Sequence, residues 1–234
     1  MCNSAGNKVI GVILMGGSGV RFGGDTPKQY VMARGQELFL HVAKAFESNE
    51  IIDEVVFVAK IDYFPLIGQI LNRVGYSKKY SYAISGETRE ESAYNAIKAI
   101  SEKEDKNTIV LITDADRPHS GKYITPMVKK IEEAGFAVVA FPVTDSLAVS
   151  MDGDRIVSYQ DRSHAILLAT PQGGRLFILK SAMDKAKDHL GDYTDEGSLV
   201  LNELHMAPAI VKGNSGNYKI NTIDDMKRFE EESA

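Results

Sequence analysis

Cysteine occurs once in the 234 residues, as Cys2. No disulfide can close within the chain and no cysteine-based zinc site can form. The compartment expected from this is reducing, the cytoplasm. No apolar run approaches the roughly 20 residues that span a bilayer. The opening segment, Met1 to Lys8, lacks the apolar stretch of a signal peptide, so no membrane partner is expected. Positive charge is in deficit as well: 27 Lys and Arg stand against 32 Asp and Glu, a net charge of -5. Nothing in that balance attracts nucleic acid. Any anion has to be held locally, by a few placed cations and backbone amides. Linkers, repeats and low-complexity stretches are also missing, and the economical expectation is one domain over residues 1–234.

What the chain does contain is an alternation. Short Val- and Ile-rich runs at Val9–Leu14, Glu54–Ala59, Thr108–Thr113 and Phe136–Phe141 read as buried, parallel strands. Between them, Leu38–Ser48, Ile61–Val74, Arg89–Ser101 and Lys122–Ala134 carry apolar residues three and four apart, as helices do. Thr88 with Glu91 has capping-box spacing. A βαβα series of this kind predicts an α/β fold, an open and mostly parallel sheet with helices on both faces. After Pro142 the rhythm changes. Two alternating strands joined by Met151-Asp152-Gly153-Asp154 predict a projecting β-hairpin arm at about 142–164, either a plain surface hairpin or a subunit contact. The last third predicts two or three helices and short strands at Ala207–Gly213 and Tyr218–Ile220.

The stretch from Val12 to Tyr30, VILMGGSGVRFGGDTPKQY, ends a strand in glycines and then supplies two cations. Gly16, Gly17 and Gly19 let backbone N–H groups close on phosphate oxygens; taken alone they are a weak signal and suit a tight turn better. No Gly-Lys-Ser/Thr triplet follows, which excludes a P-loop. Phe22 stands where a dinucleotide fingerprint needs its third glycine. Arg21 and Lys28, the latter fixed behind Pro27, suit the charge that builds on α- and β-phosphates as pyrophosphate leaves.

With these residues placed, the chain resembles the 2-C-methyl-D-erythritol 4-phosphate and ribitol 5-phosphate cytidylyltransferases. That family opens with Leu/Pro-Ala-Ala-Gly-x-Gly-x-Arg-Met and then Pro-Lys-Gln-Tyr. Agreement continues in order through Gly86–Ser92, Thr113–Pro118, Pro142–Leu147, Asp161–Gln172, Tyr193–Val200 and Asn217–Asp225. The resemblance implies a Rossmann-like nucleotidyltransferase fold (GT-A-like), and transfer of a cytidylyl group from CTP to a polyol phosphate. It implies Mg²⁺ and a homodimer built through the arm. Methylerythritol phosphate, an isoprenoid precursor, is the first acceptor expected and ribitol 5-phosphate the alternative. Met15, Gly16, Gly17, Gly19 and Lys28 would hold CTP phosphates, and Gly86, Arg89 and Ser92 would surround the cytosine. Asp114 would meet the ribose and the metal. Arg21 and Lys28 would be catalytic; Arg162, Lys219 and Ser146 would hold the acceptor phosphate. A phosphomonoester is already a dianion at pH 7, its second pKa being about 6, so it needs no general base, and the five histidines need no catalytic role.

Several positions depart from the family pattern. Thr113 replaces a histidine, Asp116 adds an acid, Ser85 replaces a glycine, Ser146 a threonine and Gly16 an alanine. Asp114-Ala115-Asp116 also fits the Asp-x-Asp metal motif of sugar-nucleotide glycosyltransferases, although those lack the glycine loop with Arg and Pro-Lys. A nucleotide-binding regulator without catalysis is a third class, against which all four cations speak. Asp116 itself is read as a helix N-cap or an ion pair with Arg117.

Overall fold

The computed structural model describes residues 6–17 and 26–232. Among these residues the central sheet has seven strands, in the order β11-β7-β10-β6-β1-β4-β5. The strands are β1 (Val9–Leu14), β4 (Glu54–Ala59), β5 (Tyr80–Ile84), β6 (Ile109–Asp114), β7 (Phe136–Pro142), β10 (Ile166–Arg175) and β11 (Ala209–Lys212). All neighbours run parallel except β10, which is antiparallel to both β6 and β7. The expected open, mostly parallel sheet is therefore present. β2 (Met32–Ala33) and β3 (Gln36–Glu37) form a small separate hairpin.

Helices cover both faces because each apolar strand is buried on both sides. Phe39 and Phe46 of α1 (Leu38–Glu47), Ile67 and Leu71 of α2 (Phe64–Arg73), and Met127 and Ile131 of α4 (Ile124–Ala134) pack on one face. Ala93, Ala96 and Ile97 of α3 (Arg89–Ser101), Leu179 and Ala182 of α5 (Leu176–Lys185), and Leu199 and Val200 of α6 (Glu196–Leu204) pack on the other. A small third cluster joins Met226 and Phe229 of α7 (Ile223–Glu231) to Ala33, Leu38 and Ile220.

Two expectations need correction, and two strands were not foreseen. The segment Ile61–Val74 opens as a 3-10 turn over Ile61–Tyr63 and becomes α-helical only at Phe64, with Pro65 in its first turn. Tyr80–Ile84 is a strand that was not expected. Tyr218–Ile220 is irregular rather than a strand. Most consequentially, Thr170-Pro171-Gln172-Gly173-Gly174 lies in the second half of β10, a strand the sequence does not announce. Its glycines are a steric requirement: a Cβ on Gly173 would lie 2.2 Å from the Val110 carbonyl oxygen, and one on Gly174 2.6 Å from the Phe136 ring.

The arm is present as β8 (Leu147–Ser150) paired antiparallel with β9 (Ile156–Gln160). Asp152 Oδ1 accepts from the Asp154 and Arg155 amides at 2.9 and 3.0 Å, and Gly153 adopts φ +84°, which closes the turn. The hairpin is exposed along almost its whole length. Met151 is 83% exposed and Tyr159 73%, with Ile156, Val157 and the first residues of β10, Ile166 to Leu168, exposed beside them.

Candidate active site

The chain runs from β1 to β4 and β5 on one side of the sheet, and places β6, β10, β7 and β11 on the other. Between the carboxyl ends of β1 and β6 the layers part. In open α/β sheets this reversal of strand order is where ligands bind. A cavity of about 350 Å³ lies there. Met15, Gly16, Gly17, Lys28, Gly86, Arg89, Ser92, Asp114 and Lys219, all expected on sequence grounds, line it, together with Gln29, Glu87, Asp116 and Asn221. Gly19 and Arg21 lie outside the described residues. Ser146 and Arg162 are on the exposed arm; Arg162 Nη1 donates to the Thr144 carbonyl at 2.6 Å.

The glycine segment is held from below. Met15 N donates to Val58 O at 2.9 Å, extending the β1–β4 pairing by one residue. Gln29, 6% exposed, donates through Nε2 to the carbonyls of Met15 (2.6 Å) and Gly17 (2.9 Å). Gly16 has no room for a side chain: a Cβ there would lie 2.4 Å from Ser85 Cβ. The two departures at 16 and 85 thus occupy one space, and the pair keeps the volume that an alanine–glycine pair would fill.

Two carboxylates end β6 and its following turn. Asp114 is 7% exposed and its amide donates to Thr170 Oγ1 at 3.2 Å, which Thr113 Oγ1 also meets at 3.2 Å. Arg89 Nε reaches Asp114 Oδ1 at 3.1 Å, Lys219 Nζ reaches Oδ2 at 3.0 Å, and Arg117 Nε lies 3.8 Å away. Burial alone would raise this carboxyl, but Arg89, Lys219 and Arg117 outweigh it and hold Asp114 well below the usual range. Asp116 differs. It is neither an N-cap nor Arg117's partner: Oδ2 sits 2.7 Å from Lys28 Nζ and Oδ1 3.9 Å from Lys219 Nζ. Burial is the largest influence on it and, with Asp114 nearby, moves its carboxyl upward against the pull of Lys219 and Lys28.

Arg89 starts α3, where Thr88 Oγ1 accepts from Glu91 N at 3.1 Å; Glu91's carboxylate takes the Glu87 amide instead of completing the capping box. Its guanidinium also grips Glu196 with two bonds, 2.9 and 3.1 Å. Glu196, 2% exposed at the start of α6, had no role in the sequence reading, although the Tyr193–Val200 motif contains it. Arg89 therefore orients Asp114 as well as facing the cavity. Ser92 Oγ accepts from Gly86 N at 3.0 Å and donates to Thr88 O at 2.8 Å, fixing the turn that carries Gly86. Lys219 rides on a strap tied by Asn217 Nδ2 to Thr170 O (2.9 Å), by Arg117 Nη1 to Asn217 O (2.6 Å) and by Ile220 N to Asp116 O (2.9 Å). Lys28 Nζ donates to Ile220 O of the same strap.

A glycine segment, lysines and a buried aspartate around one cleft suit a phosphorylated ligand, and comparison with known proteins narrows the choice. The sequence profile of the 2-C-methyl-D-erythritol 4-phosphate cytidylyltransferases matches residues 9–231. The chain belongs to that family. As a member it is a CTP-dependent cytidylyltransferase. The 2-C-methyl-D-erythritol 4-phosphate cytidylyltransferase of Thermosipho africanus is 35% identical over 221 residues, covering 93% of this chain and 95% of that one. The ribitol-5-phosphate cytidylyltransferase of Streptococcus agalactiae is 28% identical, covering 94% and 93%. In fold the cytidylyltransferase matches the 4-diphosphocytidyl-2C-methyl-D-erythritol synthase of Anaerococcus prevotii, with a TM-score of 0.81 at 20% identity over 97% of this chain and 96% of that one. Among the described residues of the cytidylyltransferase, no helix is long and apolar enough to cross a membrane.

Proposed function

We propose that the enzyme joins CTP to 2-C-methyl-D-erythritol 4-phosphate, forming the CDP-polyol and releasing pyrophosphate. The observation that carries this is the convergence of Met15–Gly17, Lys28, Asp114 and Lys219 on one cleft in a chain 35% identical to an enzyme of that name. In this reading Met15 to Gly19 hold the triphosphate, and Gly86, Arg89 and Ser92 frame the base. Arg21 and Lys28 stabilise charge at the α-phosphorus. The acceptor phosphate is a dianion and attacks without a base; what it needs is position and relief from repulsion. Lys219 supplies both from within the cleft.

The reading includes Mg²⁺. Among the described residues no group of three His, Cys, Asp or Glu could cage a metal, and Asp114 is already surrounded by cations. The donor set fits a Mg²⁺ that keeps its waters and phosphate ligands and meets one or two carboxylates, Asp114 and Asp116. Such an ion supplies further neutralisation of the triphosphate.

The reading also includes a homodimer in the cytoplasm, where CTP is available. The uncovered apolar arm is the support for it, and in the dimer it would carry Ser146 and Arg162 of one copy to the acceptor side of the other. Light scattering at micromolar concentration is expected to give twice the chain mass; a monomer would remove the arm from the account. The central test is pyrophosphate release over a panel of acceptors. Release with CTP and methylerythritol phosphate, and little with ribitol 5-phosphate, is expected. Ribitol 5-phosphate is the second reading, favoured by the 28% identical relative, and preference for it would replace the acceptor named here.

A further inference from the structure

The cleft is built for a polyanion, yet its described lining is electrically balanced. Lys28, Arg89 and Lys219 face Glu87, Asp114 and Asp116. Behind the wall, Arg117 and Glu196 cancel in the same way. Asp116 is the member of this set whose position is least explained by folding. Its backbone carbonyl holds the strap through Ile220 N, but its carboxylate caps no helix and pairs with a lysine assigned to substrate phosphate. Oδ2 holds Lys28 at 2.7 Å, where the two side chains are 12% and 14% exposed. Oδ1 is buried and has no hydrogen-bond partner among the described residues; its nearest cation is Lys219, at 3.9 Å. The carboxylate thus faces both of the lysines assigned to phosphate, 2.7 Å from Lys28 Nζ and 3.9 Å from Lys219 Nζ.

We propose that Asp116 is a specificity-determining residue: a built-in counter-ion that competes with substrate phosphate for Lys28 and thereby favours metal-loaded over metal-free nucleotide. The proposal rests on the CTP reading above. When a triphosphate takes Lys28, Asp116 loses its closest partner and stays beside a new polyanion in a partly dry cleft, where like charges repel strongly. With metal-free CTP, Lys219, 3.9 Å from Asp116 and already paired with Asp114, is the cation left beside it among the described residues. With a divalent cation on the triphosphate the ligand's charge is lower, and both oxygens of Asp116 can face a hard cation instead of an anion.

The test is binding, not turnover. CTP is titrated calorimetrically into the wild-type protein and into Asp116→Asn, once in EDTA and once in excess Mg²⁺, with Asp116→Ala as a second variant and thermal melting to confirm folding. In both variants the ratio of affinity for metal-free CTP to affinity for the Mg²⁺ form is expected to rise about tenfold over wild type, with a gain in the metal-free form. An unchanged ratio between the two forms, or equal gains in both, overturns the proposal and leaves the CTP reading intact. Failure of the wild-type protein to bind CTP in either form overturns both.

Discussion

Lys28→Ala is expected to lower kcat about 100-fold, with the KM for the polyol phosphate changed less than about threefold. Loss of one preorganised cation where charge develops commonly costs ~3 kcal/mol of transition-state stabilisation. Lys28 is preorganised in the required sense. Pro27 fixes the chain ahead of it, a 3-10 turn carries it, and Asp116 and the Ile220 carbonyl hold its ammonium in the cleft. Truncation also leaves Asp116 without its nearest cation, so the single variant adds repulsion to lost attraction. Adding Asp116→Ala to Lys28→Ala is therefore expected to restore part of the rate, a coupling that neighbours in one network show. Steady-state kinetics on the three proteins decides; wild-type kcat in Lys28→Ala would remove it from the chemistry.

Glu196→Ala should produce the largest loss of stability among single changes at the site, about 3 kcal/mol, with a fall in activity. Removing one partner of a buried, hydrogen-bonded ion pair costs about 3–5 kcal/mol because the other charge is left uncompensated. The lower end applies because Asp114 still faces Arg89 Nε at 3.1 Å. Glu196→Gln keeps an acceptor and the volume and should cost less than half as much. Denaturant midpoints at constant m-value measure both changes. A loss under about 1 kcal/mol in Glu196→Ala would mean that Arg89 finds compensation from water, and that it does not lock α3 to α6.

The parts legible in the sequence were those whose signal is local. β1, β4, β6 and β7 are continuous Val/Ile runs, and α3 begins where Thr88 and Glu91 announce it. Gly16, Gly17 and Asp114 sit at strand ends, where chemistry-bearing residues stand out against apolar neighbours, and Lys28 is marked by the proline before it. What stayed hidden depends on contacts distant in the chain. Gly173 and Gly174 look like turn residues, yet their smallness serves the close approach of β10 to β6 and β7. Glu196 was unreadable because its meaning is Arg89, 107 positions earlier. Sequence alone reads Asp116 as a helix N-cap or as the partner of its neighbour Arg117, while its closest cation, Lys28, comes from the turn after the glycine segment. Gln29 showed only as part of a motif; that its amide ties the Met15 and Gly17 carbonyls together is a fact of three dimensions.

The shared space at Gly16 and Ser85 has a consequence for the routes by which such a chain can change. An alanine at 16 opposite a serine at 85 would bring two Cβ atoms to 2.4 Å, closer than side chains tolerate. Glycine at both positions leaves only a small gap. Single substitutions can therefore connect the alanine–glycine pair to the glycine–serine pair in one order alone: the methyl leaves position 16 before the hydroxymethyl arrives at 85, and the return trip runs backwards through the same doubly vacated step. Anyone grafting a relative's loop into this chain meets the same constraint of order, and has to clear position 85 before adding a side chain at position 16.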